Sequence, residues 1–93
     1  MKAAVVEHYK EPLVIENVAE PTHDPDGVLV EVKACGVCRS DWHGWQGEWP
    51  GFTGNSLPHI FGHEFVGQIS ETGTNVSRYR VGDRVIVPFT LGC

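Results

Sequence analysis

The stretch that most limits what this chain can become is Val28–Cys35, where Val28, Val30, Val32 and Ala34 alternate with Glu31 and Lys33. A period of two belongs to a strand with one face covered and one wet. Asp24-Pro25-Asp26-Gly27 stands before it as a turn, because proline presets a bend, Asp can bond its own backbone and Gly tolerates the turn's reversal. The strand runs out at Gly36-Val37-Cys38 and so delivers Cys38 to the edge of a sheet.

Four further segments read as strands. Met1–Val6 carries Ala-Ala-Val-Val, Leu13–Val18 alternates around β-branched residues, and Phe65–Thr72 runs into a turn at Gly73. Arg84–Pro88 is entered through Gly82-Asp83, and Lys10-Glu11-Pro12 separates the first two. After Cys38 only one helical turn is expected, Trp42–Trp45, capped by Ser40 or Asp41 and stopped by Gly44 and Gly47. Gly44–Pro58, rich in glycine and holding Trp45, Trp49 and Phe52, reads as a functional loop. Five short strands with little helix indicate a mostly β, barrel-like or sandwich domain.

Composition narrows the function classes. The chain has 93 residues, 41% hydrophobic and 20% charged, which suits one small soluble domain burying only about 60–65% of its unfolded surface. No apolar run approaches the roughly 18 residues of a membrane span, and no signal-peptide pattern opens the chain, so no membrane partner and a cytoplasmic location are expected. The net charge is −5, and the basic residues are scattered from Lys2 to Arg84 rather than patched, which argues against nucleic acid. Three cysteines without an export signal favour thiols or metal ligands over a disulfide framework.

The chemistry is concentrated in Gly36-Val37-Cys38-Arg39-Ser40-Asp41-Trp42-His43 and in Gly62-His63-Glu64. Cys38 and His63 are the natural zinc-ligand pair, since zinc takes thiolate sulfur and imidazole nitrogen. Their separation is too long for a zinc finger, so the fold must bring them together. The pair by itself equally describes a small buried cysteine and a surface histidine. Cys35-Gly36-Val37-Cys38 also has the spacing of a redox pair, which needs a βαβ unit, or of half a zinc ribbon, which needs a second such pair.

Gly-x-Cys-x-Ser-Asp-x-His, then Gly-His-Glu, then Val81-Gly82-Asp83-Arg84-Val85 resembles the zinc-dependent alcohol dehydrogenases of the medium-chain dehydrogenase/reductase superfamily. The likeness covers residues 1–93, as the N-terminal part of such an enzyme. It implies a GroES-like, partly open β-barrel, incomplete here, which in the longer parent is followed by an α/β Rossmann domain. No Gly-x-Gly-x-x-Gly fingerprint occurs in these residues, so the chain alone is expected to be inactive.

The resemblance also implies roles. Cys38 and His63 bind a catalytic zinc, whose third ligand in the family, a cysteine or an acid, comes much later in the chain. By their own chemistry Asp41 and Glu64, which flank these ligands, are carboxylates able to orient an imidazole from outside the coordination shell, and Glu64 is a possible third ligand within these residues. Ser40 and His43 form a proton relay, Arg39 contacts the pyrophosphate of NAD or NADP, and Trp49 lines the substrate pocket. Cys93 matches the first of four cysteines holding a structural zinc. The reaction implied is oxidation of an alcohol to an aldehyde or ketone, with zinc as the Lewis acid, in a homo-oligomer, a tetramer or dimer. Plainer readings stand beside these: a helix cap for Ser40, a solvated surface residue for Arg39, salt bridges for Asp41, core filling for Trp49. His8, His23 and His59 have no motif support and are expected at the surface. A GroES-like or metal-binding module without enzymatic activity, complete at this length, is the alternative.

Overall fold

The computed structural model describes residues 1–48 and 57–88. In chain order the elements are β1 (Lys2–Val5), β2 (Val14–Asn17), β3 (Val28–Cys35), α1 (Arg39–Gln46), β4 (Phe65–Thr72) and β5 (Arg84–Val87). They fall into two compact units, Met1–Ala19 with Val37–Gly62, and Glu20–Gly36 with His63–Cys93. The strands make two open antiparallel sheets, one of β1 and β2, the other in the order β3-β4-β5. None of the described helices is long and apolar enough to cross a membrane.

In the first unit β1 pairs with β2 from Lys2 opposite Asn17 to Val5 opposite Val14, and the Met1 ammonium donates to the Val18 carbonyl at 2.8 Å. Val5 and Val6 are both buried although consecutive. Alternation would put one of them in water, but the strand ends at Val5, and Val6 forms a separate bridge to His59, exchanging backbone hydrogen bonds of 2.8 and 3.0 Å. Lys10, at φ 63, turns the chain so that its N–H reaches the Trp45 carbonyl at 3.0 Å. The Trp45 indole N–H donates to the Glu11 carbonyl at 2.7 Å. The Lys10-Glu11 turn thus docks on the end of α1.

In the second unit β3 pairs with β4 from Val28 opposite Thr72 to Cys35 opposite Phe65, and β4 with β5 from Phe65 opposite Val87 to Gln68 opposite Arg84. Register shifts lie between Leu29 and Val30 and between Val32 and Ala34. The first inserts Ser70 into β4 and the second Lys33 into β3, each flipping the alternation on its own strand. The expected inward face of Val28, Val30, Val32 and Ala34 is corrected accordingly: Val28–Val30 are half-buried and Glu31–Cys35 exposed. Buried apolar character sits instead on Ile69 of β4.

The expected Asp24–Gly27 turn forms, with the Gly27 N–H on the Asp24 carbonyl at 3.1 Å and the Asp26 N–H on Asp24 Oδ1 at 2.9 Å. It is clasped to the turn after β4. Gly73 donates to the Gly27 carbonyl at 2.8 Å, Asn75 to the Pro25 carbonyl at 2.9 Å, and Asn75 Nδ2 to Asp26 Oδ1 at 2.9 Å. His23, expected at the surface, is half-buried here, Nδ1 against the Asp24 carbonyl and Nε2 against Glu71 at 3.2 Å. His59 is likewise half-buried, edge-on to Phe61, whereas His8 is exposed as expected.

Candidate metal centre

From the end of β3 the chain passes through Gly36, whose N–H donates to the Glu64 carbonyl at 2.8 Å, and then through a largely exposed Val37. Cys38 follows in an extended conformation and is the residue from which α1 begins. Neither Ser40 nor Asp41 occupies the capping position. The helix starts three residues earlier than expected, because Asp41 folds back from inside the first turn and its Oδ2 accepts the Cys38 N–H at 2.9 Å. A carboxylate there satisfies a backbone donor that the helix leaves open and meets the positive end of its dipole.

That first turn places Ser40 Oγ 2.8 Å from Cys38 Sγ, both half-buried. Arg39 points outward, its guanidinium carbon 5.4 Å from the centre of the Trp42 ring. One turn on, His43 meets the edge of Trp42 at 5.1 Å between ring centres.

The helix continues through Gly44 rather than stopping there. Gly44 is buried, and a Cβ on it would fall 2.3 Å from Phe61 Cε1, so this glycine is a point of close packing. Gly47, at φ 77, ends the helix in the left-handed conformation that glycine adopts without steric cost. Gly47 N–H reaches the Gly44 carbonyl at 3.0 Å and Glu48 N–H the His43 carbonyl at 3.1 Å, the two bonds of a Schellman ending. This ending folds Glu48 back over the last turn, where its carboxylate meets His43 Nδ1. The sequence reading missed that pair; a glycine one residue past a helix end was the available signal.

His63 begins the second segment of the second unit and is half-buried. Cys38 and Asp41 in the first unit and His63 in the second are each half-buried. Thiolate, carboxylate and imidazole are the donors zinc prefers. The chemistry of the Cys38 thiol and the His63 imidazole therefore suits that ion, at bonds of about 2.0–2.3 Å. Glu64 is exposed and lines an open hollow of 430 Å³ with Phe65 and Ile86.

Cys35 and Cys38 stand as thiols, and Cys35 Sγ donates to the Gly36 carbonyl at 3.5 Å. The redox-pair reading asks for a βαβ unit, but β3 pairs antiparallel with β4. Trp49 and Cys93 lie outside the described residues.

The family described as "Alcohol dehydrogenase GroES-like domain" matches residues 24–93. An alcohol dehydrogenase of Geobacillus stearothermophilus is 49% identical over 89 residues, 96% of this chain and 26% of that protein. The crystal structure of an alcohol dehydrogenase from Aeropyrum pernix superposes with a TM-score of 0.84 at 39% identity, covering 92% of this chain and 25% of that one. CAD from Helicobacter pylori, complexed with NADP(H), gives 0.82 at 30% identity, over 92% of this chain and 24% of that one. The chain therefore spans about a quarter of the length of the proteins it resembles.

Proposed function

Since the chain belongs to the alcohol dehydrogenase GroES-like domain family, we propose that it is the N-terminal part of the catalytic domain of a zinc-dependent alcohol dehydrogenase. The parent enzyme oxidises a small alcohol to an aldehyde or ketone with NAD⁺ or NADP⁺, and runs the reverse reduction. A Rossmann domain outside residues 1–93 holds most of the dinucleotide.

Cys38 and His63 would hold the zinc, with Asp41 beside Cys38. Bound there, zinc supplies Lewis acidity toward the alcohol oxygen and so eases loss of its proton. The observation that carries the reading is Ser40 Oγ at 2.8 Å from Cys38 Sγ, which sets a hydroxyl against a thiol ligand without help from any residue beyond the first turn of α1. Ser40 accepts the substrate proton while giving up its own, and His43, one turn further along the helix, passes it to solvent, as an imidazole can near neutral pH. The Asp41 carboxylate fixes the Cys38 backbone. Arg39, steadied on Trp42, is suited to grip a pyrophosphate oxygen.

The same reading gives Trp49 a place on the substrate wall, Cys93 a role in a structural zinc site, and Glu64 a transient place on the catalytic metal. It also has the parent enzyme assemble as a tetramer or dimer in the cytoplasm. The test is metal analysis of the full-length parent: Cys38→Ala and His63→Ala should each lower zinc per subunit, and unchanged stoichiometry in both would sink the assignment.

A further inference from the structure

The Schellman ending of α1 presents Glu48 to the imidazole of His43, and neither motif reading nor family likeness uses this contact. His43 is mostly covered, its side chain 23% exposed, while Glu48 is 43% exposed. The carboxylate meets Nδ1, and the Glu48 backbone is tied to the His43 carbonyl at 3.1 Å. Trp42 lies T-shaped to the ring, with 5.1 Å between centres. The imidazole is therefore held by a carboxylate and an indole, and the helix ending prevents the carboxylate from drifting.

We propose that Glu48 is a positioning residue for His43: it takes the Nδ1 proton in a hydrogen bond, keeps the neutral ring in the Nδ1–H tautomer, and so leaves the lone pair on Nε2. A carboxylate accepts only, so the nitrogen facing it must carry hydrogen. The function of this arrangement rests on the relay reading above. A relay histidine has to offer an unprotonated nitrogen to the incoming proton, and a ring that samples both tautomers does so only part of the time. Nothing in the step changes covalently at Glu48, which orients its neighbour.

The test has two arms. In the first, the full-length enzyme, selectively labelled with ¹⁵N-histidine, is studied by long-range ¹H–¹⁵N correlation under alkaline conditions where imidazole is neutral. His43 should show the Nδ1–H pattern. Glu48→Ala should move it to the Nε2–H form that dominates for imidazole in water, and Glu48→Gln, whose amide oxygen still accepts, should hold part of the original pattern. Backbone amide spectra confirm that the fold persists. An Nε2–H ring in the unaltered chain, or an unchanged tautomer in Glu48→Ala, overturns the proposal.

In the second arm, the full-length enzyme carrying Glu48→Ala should lose about 3- to 10-fold in kcat with KM for the alcohol nearly constant, a fraction of the 10²–10⁴-fold typical of a proton-transfer group. Glu48→Asp should recover part of it. A normal kcat in Glu48→Ala, when His43→Gln is impaired, overturns the positioning role. A normal kcat in His43→Gln, with the tautomer shift still seen, would instead overturn the relay reading while leaving the grip of Glu48 on the ring established.

Discussion

Two positions on α1 are decided by single atoms. Ser40 was open to reading as a helix cap, and the structure puts it inside the first turn with its hydroxyl on Cys38 Sγ. Ser40→Ala keeps helix propensity and removes only the hydroxyl. In the full-length enzyme it should therefore lower kcat and kcat/KM together by at least about 10²-fold with zinc still bound, and near-normal turnover with hydride transfer rate-limiting would mean the relay is wrong. Gly44 works through what it lacks. A methyl there meets Phe61 Cε1 at 2.3 Å and Cζ at 2.7 Å, too close for ring and helix to keep their places. Gly44→Ala should cost about 1–3 kcal/mol as overpacking, despite the better helix propensity of Ala, and a chemical denaturation midpoint at or above that of the unaltered chain would refute it.

At the scale of elements, the turn before β3 and the turn after β4 act as one clasp with His23 at its rim. The His23 pKa is raised, first by the hydrogen bond to the Asp24 carbonyl and then by the Glu71 carboxylate, with burial opposing. Asp24 and Glu71 are the charged groups facing the ring. A folded-state pKa above the unfolded value means the charged form favours the fold. This stabilisation is fully present below the unfolded value of about 6.5 and fades as pH rises through the folded one. Thermal melts near pH 6 and pH 8 should differ accordingly, more stable on the acid side, and His23→Gln should shrink the difference. Glu71 is well exposed, so added salt should shrink it too. A His23→Gln chain with the full pH dependence would count against the clasp.

Over the whole molecule, hydrophobic cover is thin. Val5, Val6 and Ile69 are the buried apolar side chains among the described residues, while Ile15, Val37, Val81 and Ile86 are each more than half exposed. Exposed apolar area on this scale invites association or a hydrophobic dye. The purified 93-residue chain should bind 1-anilinonaphthalene-8-sulfonate and unfold at low denaturant with a shallow slope; a cooperative, dye-free unfolding at high denaturant would contradict this.

The strands were legible because strand formation is written locally. β3 and β4 coincide with the stretches their alternation and flanking turns marked, and β1, β2 and β5 lie within a residue or two of theirs, since turn chemistry and period-two patterning need only near neighbours. The thiol and imidazole of the Gly-x-Cys and Gly-His-Glu motifs are marked out in the same local way, by donor chemistry alone. Burial along β3 was not, because the residue inserted at Lys33 resets the face of those after it, and a bulge depends on the partner strand. The length of α1 was not, because Gly44 reads as a breaker until Phe61 is seen to need the space. Nor was the pairing of Glu48 with His43. A local pattern names the groups able to bind a metal or hold a proton, whereas the last few ångströms that bring them together are set by how a helix starts, how it ends and what packs against it.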